Sequence, residues 1–383
     1  MTTQKKCSPA LRFVGFTDDW EQRKLGEISE NFDNLRVPVA ENLRKEGKTA
    51  YFGANGIQGF IDGFTHDGEF VLIAEDGAND LKNYPVQYVT GKIWVNNHAH
   101  VLQGIPLVLN NLFLTYRIKS MDISKYLVGG GRAKLNASTM KEINICFPNV
   151  SEQTQIGNFF KQLDETIALH KRKLKKQQNS KKFYLEKMFP KENSLFPEIR
   201  FPNFTDAWEQ RKLGDIAKFL NGRAYKQEEL LSKGKYPVLR VGNFNTNSHW
   251  YYSNLELHEK FYAKKGDLLY TWATIFEPYI WEKETVIYHY HIWKIDLSPN
   301  LNPLFTLQLL KSDNSLSSNT NGSTMIHITK LEIENQIVNI PKLKEQTQIG
   351  NFFKQLDETI ALHKRMIEKL EKIKQAYLKR MFI

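Results

Sequence analysis

Towards the C-terminus, apolar side chains return alternately every four and every three positions, the spacing of a single stripe along a helix. With Ile349 opening a seven-residue frame, Ile349, Leu356, His363, Leu370 and Tyr377 fall in one register and Phe353, Ile360, Ile367 and Met381 in the other. This pattern predicts a coiled-coil seam. The same frame runs earlier through Ile156, Phe160, Leu163, Ile167, His170 and Leu174, then through Tyr184 and Met188. Gln177, Lys181 and Lys374 are polar seam positions, which cost stability but fix register. Each helix of about 35 residues spans on the order of 50 Å. Pro190 ends the first, because proline cannot continue the hydrogen-bond ladder and disfavours helix in the residue before it.

Elsewhere the period shortens. Between about 31 and 150, short apolar runs alternate with glycine and asparagine turns, as in YFGANGIQGFIDGF, EFVLIAEDG, KIWVNNHAHVLQG and NLFLTYRI. The stretch 217–340 has the same texture in different words, KYPVLRVGNFN, GDLLYTWATI and YIWEKETVIYHYHIWKI. Both predict strand-rich α+β modules with polar loops. Each closes on an amphipathic segment and a short exit strand, STMKEINICFP in one and TKLEIENQIVNIP in the other.

Two strings occur twice. RFVGFTDDWEQRKLGEI, from Arg12 to Ile28, returns as RFPNFTDAWEQRKLGDI at Arg200 to Ile216, an offset of 188 residues. EQTQIGNFFKQLDETIALHKR, at Glu152 to Arg172, recurs letter for letter at Glu345 to Arg365, an offset of 193. The stretches between them share no comparable likeness, so a duplicated frame carries two different inserts. A long helix with an apolar stripe must cover it, and the best-matched surface is the other copy. An antiparallel pair avoids a long return connection. The expected class is therefore α+β: two strand-rich α/β modules separated by two long antiparallel helices acting as a coiled-coil spacer, with pseudo-twofold symmetry. The expected boundaries are 1–150, 151–190, 191–341 and 342–383.

Composition narrows the partners. The hydrophobic share is 41% and the charged share 25%, as in globular proteins, while Lys and Arg outnumber Asp and Glu by 53 to 42. The net charge of +11 favours polyanions, nucleic acid first. No apolar run reaches the roughly 18 residues of a spanning helix, so no membrane partner is expected. MTTQKKCSPA has no apolar stretch behind its lysines, and a cytoplasmic location is the expectation.

Asn, Gln, Arg, Lys and Thr reach base edges, and Lys and Arg hold phosphates. In the first module the candidates are Asn55 and Gln58 in GANGIQG, Asn79 and Lys82 after AEDG, Asn96, Asn97 and His98 in VNNHAH, and Arg132 and Lys134 in GGGRAK. In the second they are Arg223, Tyr225 and Lys226 in NGRAYK, Arg240, Asn243 and Asn245 in RVGNFN, Thr271, Thr274, and the basic patch at His289 and His291. Each is also a residue that commonly bonds its own turn, so the set is more persuasive than any member.

Motifs for chemistry are missing from the sequence. No GxxxxGK[ST] loop appears, and Gly129 to Gly131 lacks dinucleotide-binding spacing. NPLF at Asn302 to Phe305 has Leu304 where a methyltransferase tetrad needs proline, and it reads as a helix start. Asp33, Glu46 and Lys48 mimic an acidic metal triad, but their surroundings predict a solvated face. His289 and His291 are expected on one face of a strand; no HExxH or Cys/His zinc pattern accompanies them. No catalytic or metal-binding residue is therefore expected. Activity of the pure chain with S-adenosylmethionine or Mg²⁺ would instead mark an enzyme, and a DNA affinity lacking steep salt dependence would mark a bare scaffold.

The layout resembles the specificity (S) subunit of type I restriction-modification enzymes, the HsdS family, over essentially the whole chain. FTDxWEQRKLG at Phe16 to Gly26 and Phe204 to Gly214, the duplicated EQTQIGNFFKQLDETIALHKR, YFGANGIQGFIDGF and KIWVNNHAHVL carry the likeness. The resemblance implies a non-catalytic subunit whose two target recognition domains each read half of a bipartite, asymmetric site in double-stranded DNA, with the helices setting the gap. It implies no cofactor in this chain. S-adenosylmethionine would belong to two modification subunits methylating adenine N6, and ATP and Mg to a restriction subunit that translocates and cleaves. Identical helical surfaces bind identical partners, which fits two copies of one modification subunit. Exposed helix positions expected to dock them are Gln153, Gln155, Asn158, Lys161 and Gln162, with Gln346, Gln348, Asn351, Lys354 and Gln355.

Overall fold

The computed structural model describes residues 8–129, 133–191, 194–245, 247–273, 275–312 and 329–382. The chain divides into two compact units, Met1–Lys171 with Arg365–Ile383, and Arg172–Lys364. Each long helix thus contributes one part to each unit.

The first unit opens with β1 (Glu21–Lys24), α1 (Leu25–Ile28) and β2 (Ser29–Asn31). Then come β3 (Thr49–Gly53), β4 (Gly56–Ile61), β5 (His66–Ala74), β6 (Val86–Val95) and β7 (Ala99–Gly104). It closes with α2 (Asn111–Lys119), α3 (Ala137–Lys141), β8 (Asn144–Phe147) and the start of α4 (Val150–Lys187). One six-stranded sheet runs β2-β7-β5-β6-β3-β4, antiparallel except where β3 meets β6, and β1 pairs separately with β8. The unbroken apolar run Phe70 to Ala74 is buried because β5 lies between two neighbours and is covered on both faces.

The second unit holds β9 (Glu209–Lys212), α5 (Leu213–Ile216), β10 (Ala217–Asn221), β11 (Tyr236–Leu239), α6 (Gly242–Asn245), β12 (Tyr251–Ser253) and β13 (Tyr262–Ala263). These are followed by β14 (Leu268–Ala273), β15 (Ile275–Ile280), β16 (Val286–Tyr288), β17 (Ile292–Leu297), α7 (Pro303–Ser312), α8 (Lys330–Glu334), β18 (Ile337–Ile340) and α9 (Leu343–Met381). Its strands form two four-stranded sheets, β10-β17-β14-β15 and β12-β11-β16-β13, and a β9-β18 pair. The two modules therefore share entry and exit elements and differ between them.

The duplicated residues build those shared ends. Trp20, Leu25 and Ile28 are buried in one unit, as are Trp208, Leu213 and Ile216 in the other. A Cβ on Gly26 would lie 2.9 Å from the Lys141 side chain, and one on Gly214 at the same distance from that of Glu334, so glycine lets α3 and α8 close on the short helices. Arg12 forks onto Glu152 at 2.9 and 2.6 Å, and Arg200 onto Glu345 at 2.7 and 2.8 Å. Each fork satisfies a buried carboxylate at the head of a long helix.

Gln153 and Gln346 depart from expectation. Gln153 Nε2 donates to the carbonyls of Val108 and Pro148, and its Oε1 accepts from the Asn110 amide. Gln346 does the same with Asn300, Pro341 and Asn302. Both are fully buried, so they have no surface to offer a partner and instead fasten the helix head to the residue capping α2 or α7. Asn302 caps α7 through the amides of Leu304 and Phe305, in line with the helix start read from NPLF.

Within each unit the long helices meet antiparallel. In the first, Phe159 packs on Tyr377 and Phe160 stacks on Phe382, with centroids 5.0 and 5.6 Å apart. In the second, Tyr184 packs on Phe352 at 5.0 Å and Phe189 on Phe353 at 6.2 Å. Positions separated by 193 residues have exchanged partners. The polar seam lysines do likewise: Lys374 reaches Asp164 at 2.5 Å and Lys181 reaches Asp357 at 2.6 Å. A one-turn slip would strand both charges against apolar neighbours, which is how such positions fix register.

Candidate nucleic-acid interface

In the first unit the loops at one end of the six-stranded sheet are tied to one another. Asn55, in the β3–β4 turn, donates to the Gly77 carbonyl at 2.9 Å and accepts from the Asn79 amide at 3.0 Å. Gln58 accepts from Asn96 at 3.3 Å, and Asn96 accepts from the His98 amide at 2.8 Å. His98 Nδ1 lies 2.5 Å from Asp76, whose backbone bridges Lys134. Tertiary structure has thus gathered Asn55, Gln58, Asn79, Asn96, His98 and Lys134 from four separate segments. Asn55, Gln58, Asn79, Lys82 and Asn97 are exposed. Asn96 is buried and acts as a brace, which removes it from direct contact. Arg132 lies outside the described residues.

Beneath these loops sits a charged cluster. His100, almost wholly buried, has Nδ1 2.6 Å from Asp33 and Nε2 2.8 Å from the Leu135 carbonyl. Arg36 and Lys134 both pair with Glu75, at 2.6 and 2.9 Å. Burial alone would raise both carboxyls; His100 and the Val101 amide at Asp33, and Arg36 and Lys134 at Glu75, outweigh it and hold each below the usual range. The solvated face expected for Asp33 is therefore corrected: the carboxylate is an interior anchor. Asp33, Glu75 and His100 bring ligand atoms within 4.8 Å of one another, but a cation there would have to displace Arg36 and Lys134 from Glu75. The arrangement fits a brace holding the loop around Lys134 better than a metal centre.

The second unit has built a different tip. Arg223 forks onto Glu229 at 2.8 and 2.6 Å, which keeps that carboxyl down at about 2, and Arg223 bridges His289 through the backbone. Tyr225 stacks on His289 with centroids 6.5 Å apart, Arg223 lies over the Tyr225 ring at 5.1 Å, and Arg240 lies over Tyr251 at 4.3 Å. His289 and His291 do not lie on one face of a strand. They flank Tyr290 in a tight turn between β16 and β17, where hydrogen bonds from the Tyr290 amide to Arg223 and from Trp272 Nε1 to the Tyr290 carbonyl pin the chain. Burial, reinforced by His291 and Arg240, pushes the His289 imidazole down to about 4.

Other candidates separate from this group. Thr271 is buried and bonded to Glu277 across β14 and β15, so it is a sheet residue and not a reader. Asn243 ties its own loop through the carbonyls of Asn247 and His249. Lys226 is exposed beside the cluster. Thr274 lies outside the described residues, as does the side chain of Asn245. Tyr290, 38% exposed at the turn and absent from the sequence-based set, was masked by its histidine neighbours; an aromatic in a turn between two strands is the signal that marks it.

On the long helices Gln155, Asn158, Lys161 and Gln162 are exposed, as are their counterparts Gln348, Asn351, Lys354 and Gln355. Lys161 and Lys354 each approach the glutamate one turn on, at 3.9 and 3.8 Å. The two heads thus present the same side chains in the same local setting.

Comparison with known proteins fits this architecture. The family model described as type I restriction modification DNA specificity domain matches twice, at residues 17–178 and 205–372. A Haemophilus influenzae protein described as a type I restriction enzyme specificity subunit is 34% identical over 265 residues, which are 65% of this chain and 64% of that protein. The MjaVIII specificity subunit of Methanocaldococcus jannaschii is 21% identical over 94% of this chain and 91% of its own length. The crystal structure of a type I restriction-modification system S subunit from M. genitalium superposes with a TM-score of 0.73 at 18% identity, covering 98% of this chain and 99% of that one, which shows a shared fold. Among the described residues no helix is long and apolar enough to cross a membrane. With both repeats matched and the whole architecture shared, the chain belongs to the family of type I restriction modification DNA specificity domains, that of the non-catalytic specificity subunit.

Proposed function

We propose that this chain is the sequence-reading subunit of a type I restriction-modification complex, in which each module reads one half of a bipartite, asymmetric site in double-stranded DNA. The reading rests above all on one contrast: glutamine anchors and register lysines are duplicated residue for residue and the entry helices differ only as Glu27 and Asp215, while the loops they carry are unlike. A frame conserved within one chain around two different tips is what two readers of two different half-sites require. The exposed Asn, Gln and Lys of the tips, with the half-buried His98, Arg223, Arg240, His289 and His291 beside them, are suited to base edges and phosphates.

The long helices fix the separation of the half-sites. Their matching exposed faces, centred on Gln155, Asn158 and Gln162 and on Gln348, Asn351 and Gln355, dock two copies of an adenine-N6 modification subunit. S-adenosylmethionine, ATP and Mg act in the partner subunits, and a restriction subunit completes the assembly. Replacing residues 30–150 with another such module, then mapping N6-methyladenine in cells that also make the modification subunit, tests the proposal. One half of the methylated site should change and the other persist. If both halves changed together, or the pattern did not depend on this chain, the reading would fail.

A further inference from the structure

Downstream of the duplicated segment the two long helices diverge in charge. Between Glu165 and Glu186, α4 carries no carboxylate, whereas the equivalent stretch of α9 includes Glu368 and Glu371. At one hundred degrees per residue, Arg172, Lys175, Lys176, Asn179 and Lys182 fall on one face, opposite the seam line of Leu174, Gln177 and Lys181. All five are exposed. Two neighbouring lysines are engaged, Lys171 with Glu371 and Lys181 with Asp357, but the four cations of this face have no ion-pair partner among the described residues. On α9 the same face reads Arg365, Glu368, Lys369, Lys372 and Gln375, so its charge is partly cancelled in place.

We infer that this face of α4 is a phosphate-binding stripe that contacts duplex DNA without reading its sequence. The inference rests on the proposed DNA-reading role and adds a surface outside both loop clusters. Ten residue steps of helix carry the cations over about 15 Å, a length along which B-DNA offers on the order of nine phosphate charges. Lysines on flexible stems, with no ion pair and no ring contact among the described residues, suit diffuse attraction to a polyanion better than recognition of a shaped surface. An acidic protein surface is the competing occupant, and the test separates it.

The full-length chain carrying Arg172→Gln, Lys175→Gln, Lys176→Gln and Lys182→Gln is compared with the unaltered chain in DNA binding over a range of salt concentrations. Each lost phosphate contact lowers the slope of log K against log salt by about 0.9, so the slope should shrink by roughly 2 to 4 while the ratio of target to random-sequence affinity stays the same. The charge-keeping set Lys175→Arg, Lys176→Arg and Lys182→Arg should retain the slope, and its failure to do so would count against the inference. The matched α9 set, Arg365→Gln, Lys369→Gln and Lys372→Gln, should move the slope less per residue; an equal effect would mean that net charge alone is at work and would overturn the assignment. An unmoved slope in the fourfold variant, with or without lost association with a modification subunit, also overturns it. Target preference with an unmoved slope sinks this inference alone, whereas a salt slope that falls in a chain lacking any target preference sinks the proposed reading and leaves the stripe standing. Absence of DNA binding sinks both.

Discussion

The two loop clusters solve one problem with different chemistry. In the first unit the tip is polar and cross-linked: Asn55, Gln58, Asn96 and His98 bond across loops above the Asp33–His100 hydrogen bond and the Arg36–Glu75–Lys134 ion pairs. In the second it is aromatic, with Tyr225 stacked on His289, Tyr290 tilted between His289 and His291, Trp272 edge to face with Tyr290 and His291, and cations laid over rings. The frames beneath differ hardly at all. A scaffold that anchors each module through its helix head, a glutamine and a buried aromatic leaves the intervening sheet free to vary, because the glutamine takes only backbone groups of the module and the aromatic plug meets its helix at Phe113 or Phe305 and not the sheet.

The comparison is broken most severely at the aromatic plugs. Phe382 packs among Trp20, Phe113 and Phe160 in the first unit, and Phe189 among Trp208, Phe305 and Phe353 in the second. Phe382→Ala and Phe189→Ala should each cost about 3–5 kcal/mol, and hydrogen exchange should show only the unit that receives the ring opening. Loss of protection in both units alike would contradict the reciprocal arrangement.

Next come the buried anchors. Gln346→Leu leaves the Asn302 amide and two carbonyls without their side-chain partner, at a cost of about 1–3 kcal/mol, and should fray the start of α7; Gln153→Leu should do the same to α2. Denaturant unfolding with exchange at those helices measures both.

Acid sharpens the contrast between tips. With its folded pKa near 4, below the ordinary 6.5, His289 takes up its proton more readily in the unfolded chain. Stability from this group is therefore complete above about pH 6.5 and is lost as pH falls towards 4. His289→Gln should flatten that part of the stability profile. A profile unchanged by the substitution would show that other groups set it.

The register ion pairs should give smaller, unequal effects. Asp164 accepts from Lys374 and also from the Tyr116 hydroxyl at 2.8 Å, whereas Asp357 is held by Lys181. Lys374→Met and Lys181→Met should each cost up to about 1 kcal/mol, and exchanging the charges of a pair should recover more in the second unit, where no tyrosine hydroxyl is left facing a new lysine. Smallest of all should be Tyr225→Phe, since that hydroxyl is buried without a partner among the described residues; unfolding should be unchanged or slightly improved.

Much of the frame was legible in advance. The heptads located both helices, and the polar seam positions Lys181 and Lys374 proved to be the residues that pair across it. The helix heads were misread at Gln153 and Gln346, because periodicity counts turns around one helix and cannot see a module folded over its end; Gly157 and Gly350, where a Cβ would meet α2 or α7, were the overlooked signs of close approach. In the loops, composition pointed to segments that the fold gathers at two tips, but not to which side chains hold those loops together, as Asn96 and Thr271 do.

The amino-acid sequence by itself determined the duplicated frame, the antiparallel seam and the existence of two unlike modules, since these follow from periodicity and repetition, which are local or self-referring properties of the chain. Tertiary structure alone decided that residues from four distant segments meet at one end of a sheet, that His100 and Asp33 lie beneath them, and that an HYH string forms a turn. Those outcomes depend on which strands become neighbours, a choice made by packing between segments far apart in the chain and recorded in none of them separately.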